Sequence, residues 1–136
     1  MSDKDKKSLA GTNGAGSLSE LINRGAVTAF DAFGREIFLI KVHVAGTTHV
    51  RDIRDIEPTL NVGDKVNFIR DPENPYDERA IAMFEKGGRR IGFVPRSQNE
   101  ILAALMDAGK LIYAEVADKE FVDDWLKITV KVYMHD

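Results

Sequence analysis

Cysteine is absent from the 136 residues. That excludes disulfides and thiolate metal sites and fits a reducing compartment. Long apolar runs are missing as well, none approaching the ~18 residues of a membrane span. The opening residues, MSDKDKKSLA, are charged and lack an apolar centre, so they do not read as a secretory signal. A soluble cytoplasmic protein with no membrane partner is the expectation.

Catalytic templates are missing too. There is no Gly-x-x-x-x-Gly-Lys-Ser/Thr to cradle a triphosphate, and no Gly-x-Ser-x-Gly elbow. The three histidines are His43, His49 and His135. His43 and His49 have no evident third ligand, whereas zinc takes three or four, so they read as surface or pocket-edge residues. Asp71, Glu73, Asp77 and Glu78 lack the glycine and the twelfth-position glutamate of a calcium loop. No carboxylate pair stands beside a nucleophile. The chain is expected to be no enzyme, with no catalytic residue, no metal and no cofactor.

Charge of neither sign dominates. The formal net charge of −3 neither demands nor forbids a nucleic-acid partner, because patches count for more than totals. Its distribution is uneven. Residues 79–110 carry six basic against three acidic side chains, and residues 111–136 carry three against six. A solvated mixed surface would look the same.

What is present is alternation. Residues 1–16 are polar and small, with little to bury, and are expected to form a flexible tail. A helical extension is expected over 17–35, where Ser17 and Glu20 have capping-box spacing and Leu18, Leu21 and Ile22 share a face. A turn follows at 31–34. Residues 36–136 then read as one domain. Over 36–44, Phe38, Ile40, Val42 and Val44 fall on one face of a strand, and Ile37, Leu39, Lys41 and His43 on the other. The segment 49–60 mixes charge with Ile53, Ile56 and Leu60 and fits either a short strand or a loop. Strands are expected over 65–70, 79–85, 90–94 and 111–116, and over 125–134, the longest. The paired glycines Gly87 and Gly88 mark a hairpin turn. Ser97 and Glu100 repeat the capping-box spacing before Ile101, Leu102, Leu105 and Met106, and Gly109 closes that helix. About six short strands with one internal helix predict a small OB-like or SH3-like antiparallel barrel, partly closed.

The densest polar stretch lies between two of these strands, at 70–79. It holds Arg70, Asp71, Asn74, Tyr76, Asp77 and Arg79 with two prolines. One reading is an ordered turn in which Asn74 and Asp77 bond their own backbone. The other is a binding site.

The run Phe68-Ile69-Arg70-Asp71-Pro72-Glu73-Asn74-Pro75-Tyr76-Asp77, with Ala80-Ile81, then Ile91-Gly92-Phe93-Val94-Pro95-Arg96, then Leu105-Met106-Asp107-Ala108-Gly109, resembles the HIRAN domain. The resemblance covers about residues 36–132. That family occurs fused to chromatin- and fork-remodelling helicases and as stand-alone bacterial proteins, and this chain is similar to the latter. The resemblance implies an OB-like barrel that captures the 3′-hydroxyl end of single-stranded DNA, with a DNA repair or replication protein as a further partner. It implies that Asn74 and Asp77 contact the terminal nucleotide. A carboxylate accepts a hydrogen bond from a free hydroxyl and repels a terminal phosphate. Tyr76 then offers a flat face for a base or sugar, or packs half-buried, or both. Arg70 and Arg96 lie in or beside the motif as phosphate partners, and Arg89 and Arg90 join them on charge alone. One segment departs from the pattern. Where DNA-binding relatives carry an arginine and aromatic residues before a glycine, this chain has Lys41-Val42-His43-Val44-Ala45-Gly46, leaving His43 to stack and Lys41 to meet a phosphate. The alternative is a protein–protein interaction module on the same barrel that does not bind DNA.

Overall fold

The computed structural model describes residues 35–136. The expected tail, the helix begun at Ser17 and the turn at 31–34 lie outside the described residues. Residues Ile37–His135 form one compact unit.

Its strands are β1 (Glu36–His43), β2 (Lys65–Arg70), β3 (Ile81–Phe84), β4 (Arg90–Phe93), β5 (Leu111–Val122) and β6 (Trp125–His135). Two helices accompany them, α1 (Ile53–Ile56) and α2 (Asn99–Asp107), with 3-10 turns at Thr47–His49, Glu57–Thr59 and Arg96–Gln98. The six strands make one antiparallel sheet in the order β1-β6-β5-β2-β3-β4. Just past β1, Ala45 forms an isolated antiparallel bridge to Phe93 of β4. The Ala45 N–H donates to the Phe93 carbonyl at 2.8 Å, and the Phe93 N–H returns to Ala45 at 2.9 Å. The two ends of the sheet meet there, which gives the partly closed, OB-like barrel that the alternation predicts. Close approach at this seam depends on Gly92, since a side-chain carbon there would collide with the Ala45 carbonyl and with Val44.

Alternation explains the core. Val66 and Phe68 of β2, Ile81 and Met83 of β3, Ile112, Ala114 and Val116 of β5, and Leu126, Ile128, Val130 and Val132 of β6 all point inward. Apart from Ala114, each such side chain contributes roughly 1.5–3 kcal/mol when fully buried.

Several details differ from the sequence expectation. The segment 49–60 is neither strand nor plain loop but α1 flanked by two 3-10 turns, so the barrel has two helices and not one. Ile53, Ile56 and Leu60 stand at helical spacing and reach the core, but four helical residues are too few for a period to show. Strand β1 loses its alternation midway. Leu39 and Ile40 are both partly buried, while Phe38 is exposed and sets its edge against Tyr133 with ring centroids 5.8 Å apart. Strand β5 runs on to Val122 and, at 12 residues against 11, is longer than β6. Beyond Val116 its apolar pattern stops, yet after a register shift Asp118, Lys119 and Glu120 still pair with β6. Helix α2 has no side-chain cap, because Ser97 is absorbed into the preceding 3-10 turn. Its other end closes as expected. The Gly109 N–H donates to Met106 at 2.9 Å and the Lys110 N–H to Leu105 at 3.0 Å, the double bond of a Schellman motif.

Candidate nucleic-acid interface

The loop at 71–80 is built from three successive turns. The N–H groups of Asn74, Asp77 and Ala80 donate to the carbonyls of Asp71, Asn74 and Asp77 at 3.2, 3.3 and 3.1 Å. Pro72 and Pro75 follow the first residue of the first two turns, where a fixed φ is favoured. The side chains repeat the period. Asn74 Oδ1 accepts from the Tyr76 N–H at 2.9 Å, and Asp77 Oδ1 accepts from the Arg79 N–H at 3.0 Å. Asn74 Nδ2 donates to Asp71 Oδ2 at 3.1 Å. The ordered-turn reading of Asn74 and Asp77 therefore describes their local bonding.

Two contacts fasten the loop to α2. Arg70 grips Asp107 with two nitrogens, at 2.9 and 3.2 Å, and donates a third bond to the Ala80 carbonyl at 2.8 Å. At the other end of the helix, Asn99 Nδ2 donates to Asp77 Oδ2 at 2.7 Å. Arg96 Nε lies 3.6 Å from the same oxygen. The Arg79 N–H, then the Asn99 amide and the Arg96 charge, hold the Asp77 carboxyl below the usual carboxylate range. Arg70 does the same for Asp107.

Held in this way, the loop presents a pocket of about 210 Å³ lined by Ala45, Asn74, Tyr76, Asp77, Phe93 and Arg96, among others. The Tyr76 side chain is not half-buried. The residue is 84% exposed. Arg96 is also open to solvent, its side chain being 77% exposed. The barrel seam supplies the far wall, since Ala45 and Phe93 are the bridged pair.

Of the residues singled out from sequence, Asn74, Tyr76, Asp77 and Arg96 come together here. Lys41 and His43 are exposed on β1, at positions alternating with Ala45 and opposite buried Val42 and Val44. Arg70 does not enter the pocket. Its side chain is 16% exposed, is committed to Asp107 and lines a different cleft. Arg89 bonds Glu85 Oε2 at 3.1 Å and Thr59 Oγ1 at 3.1 Å. The Arg90 guanidinium sits 5.1 Å from the centroid of the Phe93 ring. Sequence reasoning missed Asn99, which is buried, and the seam residues Ala45 and Phe93. Phe93 had a signal in the Ile91-to-Arg96 run, while nothing tied Asn99 to a carboxylate 22 positions away.

Comparison with known proteins agrees with this architecture. Among solved structures, a protein from Lactobacillus plantarum is 28% identical with a TM-score of 0.70, over 76% of this chain and 98% of that one. The crystal structure of the HIRAN domain of human HLTF is 22% identical with a TM-score of 0.57, over 74% and 78%. The same domain in its DNA-bound conformation, solved by NMR, gives 0.52 at 22% identity over the same shares. No curated protein matches. The family model for the HIRAN domain matches residues 37–135. That match runs through all six strands, both helices and the pocket between them, and the chain belongs to the HIRAN family.

Proposed function

We propose that this chain is a non-catalytic nucleic-acid-binding module and that its pocket receives the 3′-hydroxyl end of single-stranded DNA. The observation that carries the reading is the grouping of an exposed tyrosine ring, an ionised carboxylate and an exposed guanidinium around one opening. A carboxylate has about four acceptor sites. Asp77 uses one on Arg79 and one on Asn99, which leaves capacity for a hydroxyl. Arg96, too far from Asp77 for a hydrogen bond, is placed to meet the last phosphate. Tyr76 offers a face on which a base or sugar stacks without regard to sequence. Asn74 acts mainly by shaping the turn that presents Tyr76. The fold is shared with the human HLTF domain solved in its DNA-bound conformation.

Two labelled strands of one sequence, one ending in a 3′-hydroxyl and one in a 3′-phosphate, test the proposal by fluorescence anisotropy. The hydroxyl strand is expected to bind more tightly, because a terminal phosphate would face Asp77. Equal affinities would overturn end capture. Failure of both strands to bind at low salt would favour the protein-interaction alternative.

A further inference from the structure

Arg51 has no motif around it, yet a second opening is built beside it. A cleft of about 720 Å³ is lined by His49, Arg51, Asp52, Phe84, Arg89 and Arg90. Arg89 is neutralised there by buried Glu85. Among the described residues, Arg51 and Arg90 make no ion pair. Asp52 is the one acid on the lining. Guanidinium groups cannot shed their charge near neutral pH. Two such charges lining one cleft favour an anion within it.

The cleft and the pocket share their walls. On one side the chain passes Ala45, which lines the pocket, and then His49 to Asp52, which line the cleft. On the other side runs β4, with Phe93 at the pocket and Arg90 at the cleft. The Arg90 guanidinium over the Phe93 ring joins the two. Along a strand those residues stand about 10 Å apart, so the two sites lie within reach of one short stretch of nucleic-acid backbone.

We infer that the cleft is a phosphate-binding channel continuing from the pocket, with Arg51 and Arg90 as its free cations. The ligand is then a strand that extends several nucleotides to the 5′ side of its end, and not a free nucleotide. This inference rests on the end-pocket reading.

The test uses the full chain, 3′-hydroxyl strands from two to about ten nucleotides, and a salt series. The double variant Arg51→Gln with Arg90→Gln removes two charges from exposed positions and keeps most of each stem. Each phosphate neutralised on a single strand contributes about 0.7 to the slope of log affinity against log salt. The variant is therefore expected to flatten that slope by about 1.4 for the longer strand, to lose its gain in affinity with length, and to keep the preference for hydroxyl over phosphate ends. An unchanged slope and length dependence, with end preference intact, would overturn the channel alone. Loss of end preference in the wild type, with a slope still set by Arg51 and Arg90, would overturn the pocket reading alone. If the double variant lowers the thermal midpoint, Arg51→Gln by itself leaves the Arg90–Phe93 contact intact and is expected to show half the change in slope.

Discussion

Tyr76 and Asp77 are neighbours in the chain, but their side chains are tied to the fold very differently. The Tyr76 ring is exposed, and only its backbone N–H holds the turn. Tyr76→Ala is expected to weaken single-strand binding by about 1–3 kcal/mol, the range for losing one stacked base, and to leave the thermal midpoint unchanged. Asp77→Ala removes the acceptor of the Arg79 N–H and strands the Asn99 amide inside the protein. It is expected to lower both binding and stability, because a buried amide without a partner carries its full desolvation cost. Anisotropy and thermal melts on the two variants separate a side chain that meets ligand from one that also holds the loop. A drop in melting temperature with Tyr76→Ala would contradict its assignment as a ligand-facing ring.

At the scale of elements, the seam between the end of β1 and β4 decides whether the pocket has a far wall. Gly92→Ala would push a methyl against Ala45 and Val44, in a backbone whose φ of +155° already suits glycine. The expected cost is about 1–3 kcal/mol. In a domain of this size each kcal/mol lowers the midpoint by roughly 4–8 °C. Binding should fall with it, because Ala45 and Phe93 line the pocket. A Gly92→Ala protein as stable as the wild type would show that the two backbones do not need their close approach.

The elements also show what a sequence can and cannot reveal. Strands β2 and β6 were legible because period-two burial leaves its mark on each residue. The turn at Gly87 and Gly88 was legible because Gly88 takes a φ of +94°. Helix α1 was not, since it is shorter than two turns. The outer half of β5 was not either, because its pairing with β6 is carried by backbone bonds that polar residues make as well as apolar ones. In the site, Asn74, Tyr76 and Asp77 were legible as a cluster. The commitment of Arg70 to Asp107 was not, because the two meet only once α2 packs beside the loop, 37 residues on.

At the scale of the whole molecule, four carboxylates among the described residues lie below their ordinary range, and three of them tie separate parts of the chain together. Asp64 is lowered chiefly by the Asn61 N–H and also meets Lys86 of the β3–β4 turn. Asp77 joins the loop to α2, and Asp107 joins α2 to the end of β2. Burial alone would raise Glu85, but the N–H groups of Arg89 and Gly87 and the Arg89 guanidinium outweigh it, so its net shift is also downward. The same group in an unfolded chain titrates near the unperturbed 3.8 for Asp or 4.5 for Glu. Between that value and the lower folded one, the unfolded chain holds a proton that the folded chain does not. Acid therefore favours unfolding. Stability from these groups is complete above ~pH 5 and is lost as pH falls through the folded values. Urea midpoints are expected to be flat in this respect from neutral pH down to ~pH 5 and to decline below it. Glu85→Gln is expected to be less stable at neutral pH, since the amide bonds the turn more weakly, and to decline less steeply in acid. Equal acid slopes in the variant and the wild type would remove Glu85 from this set.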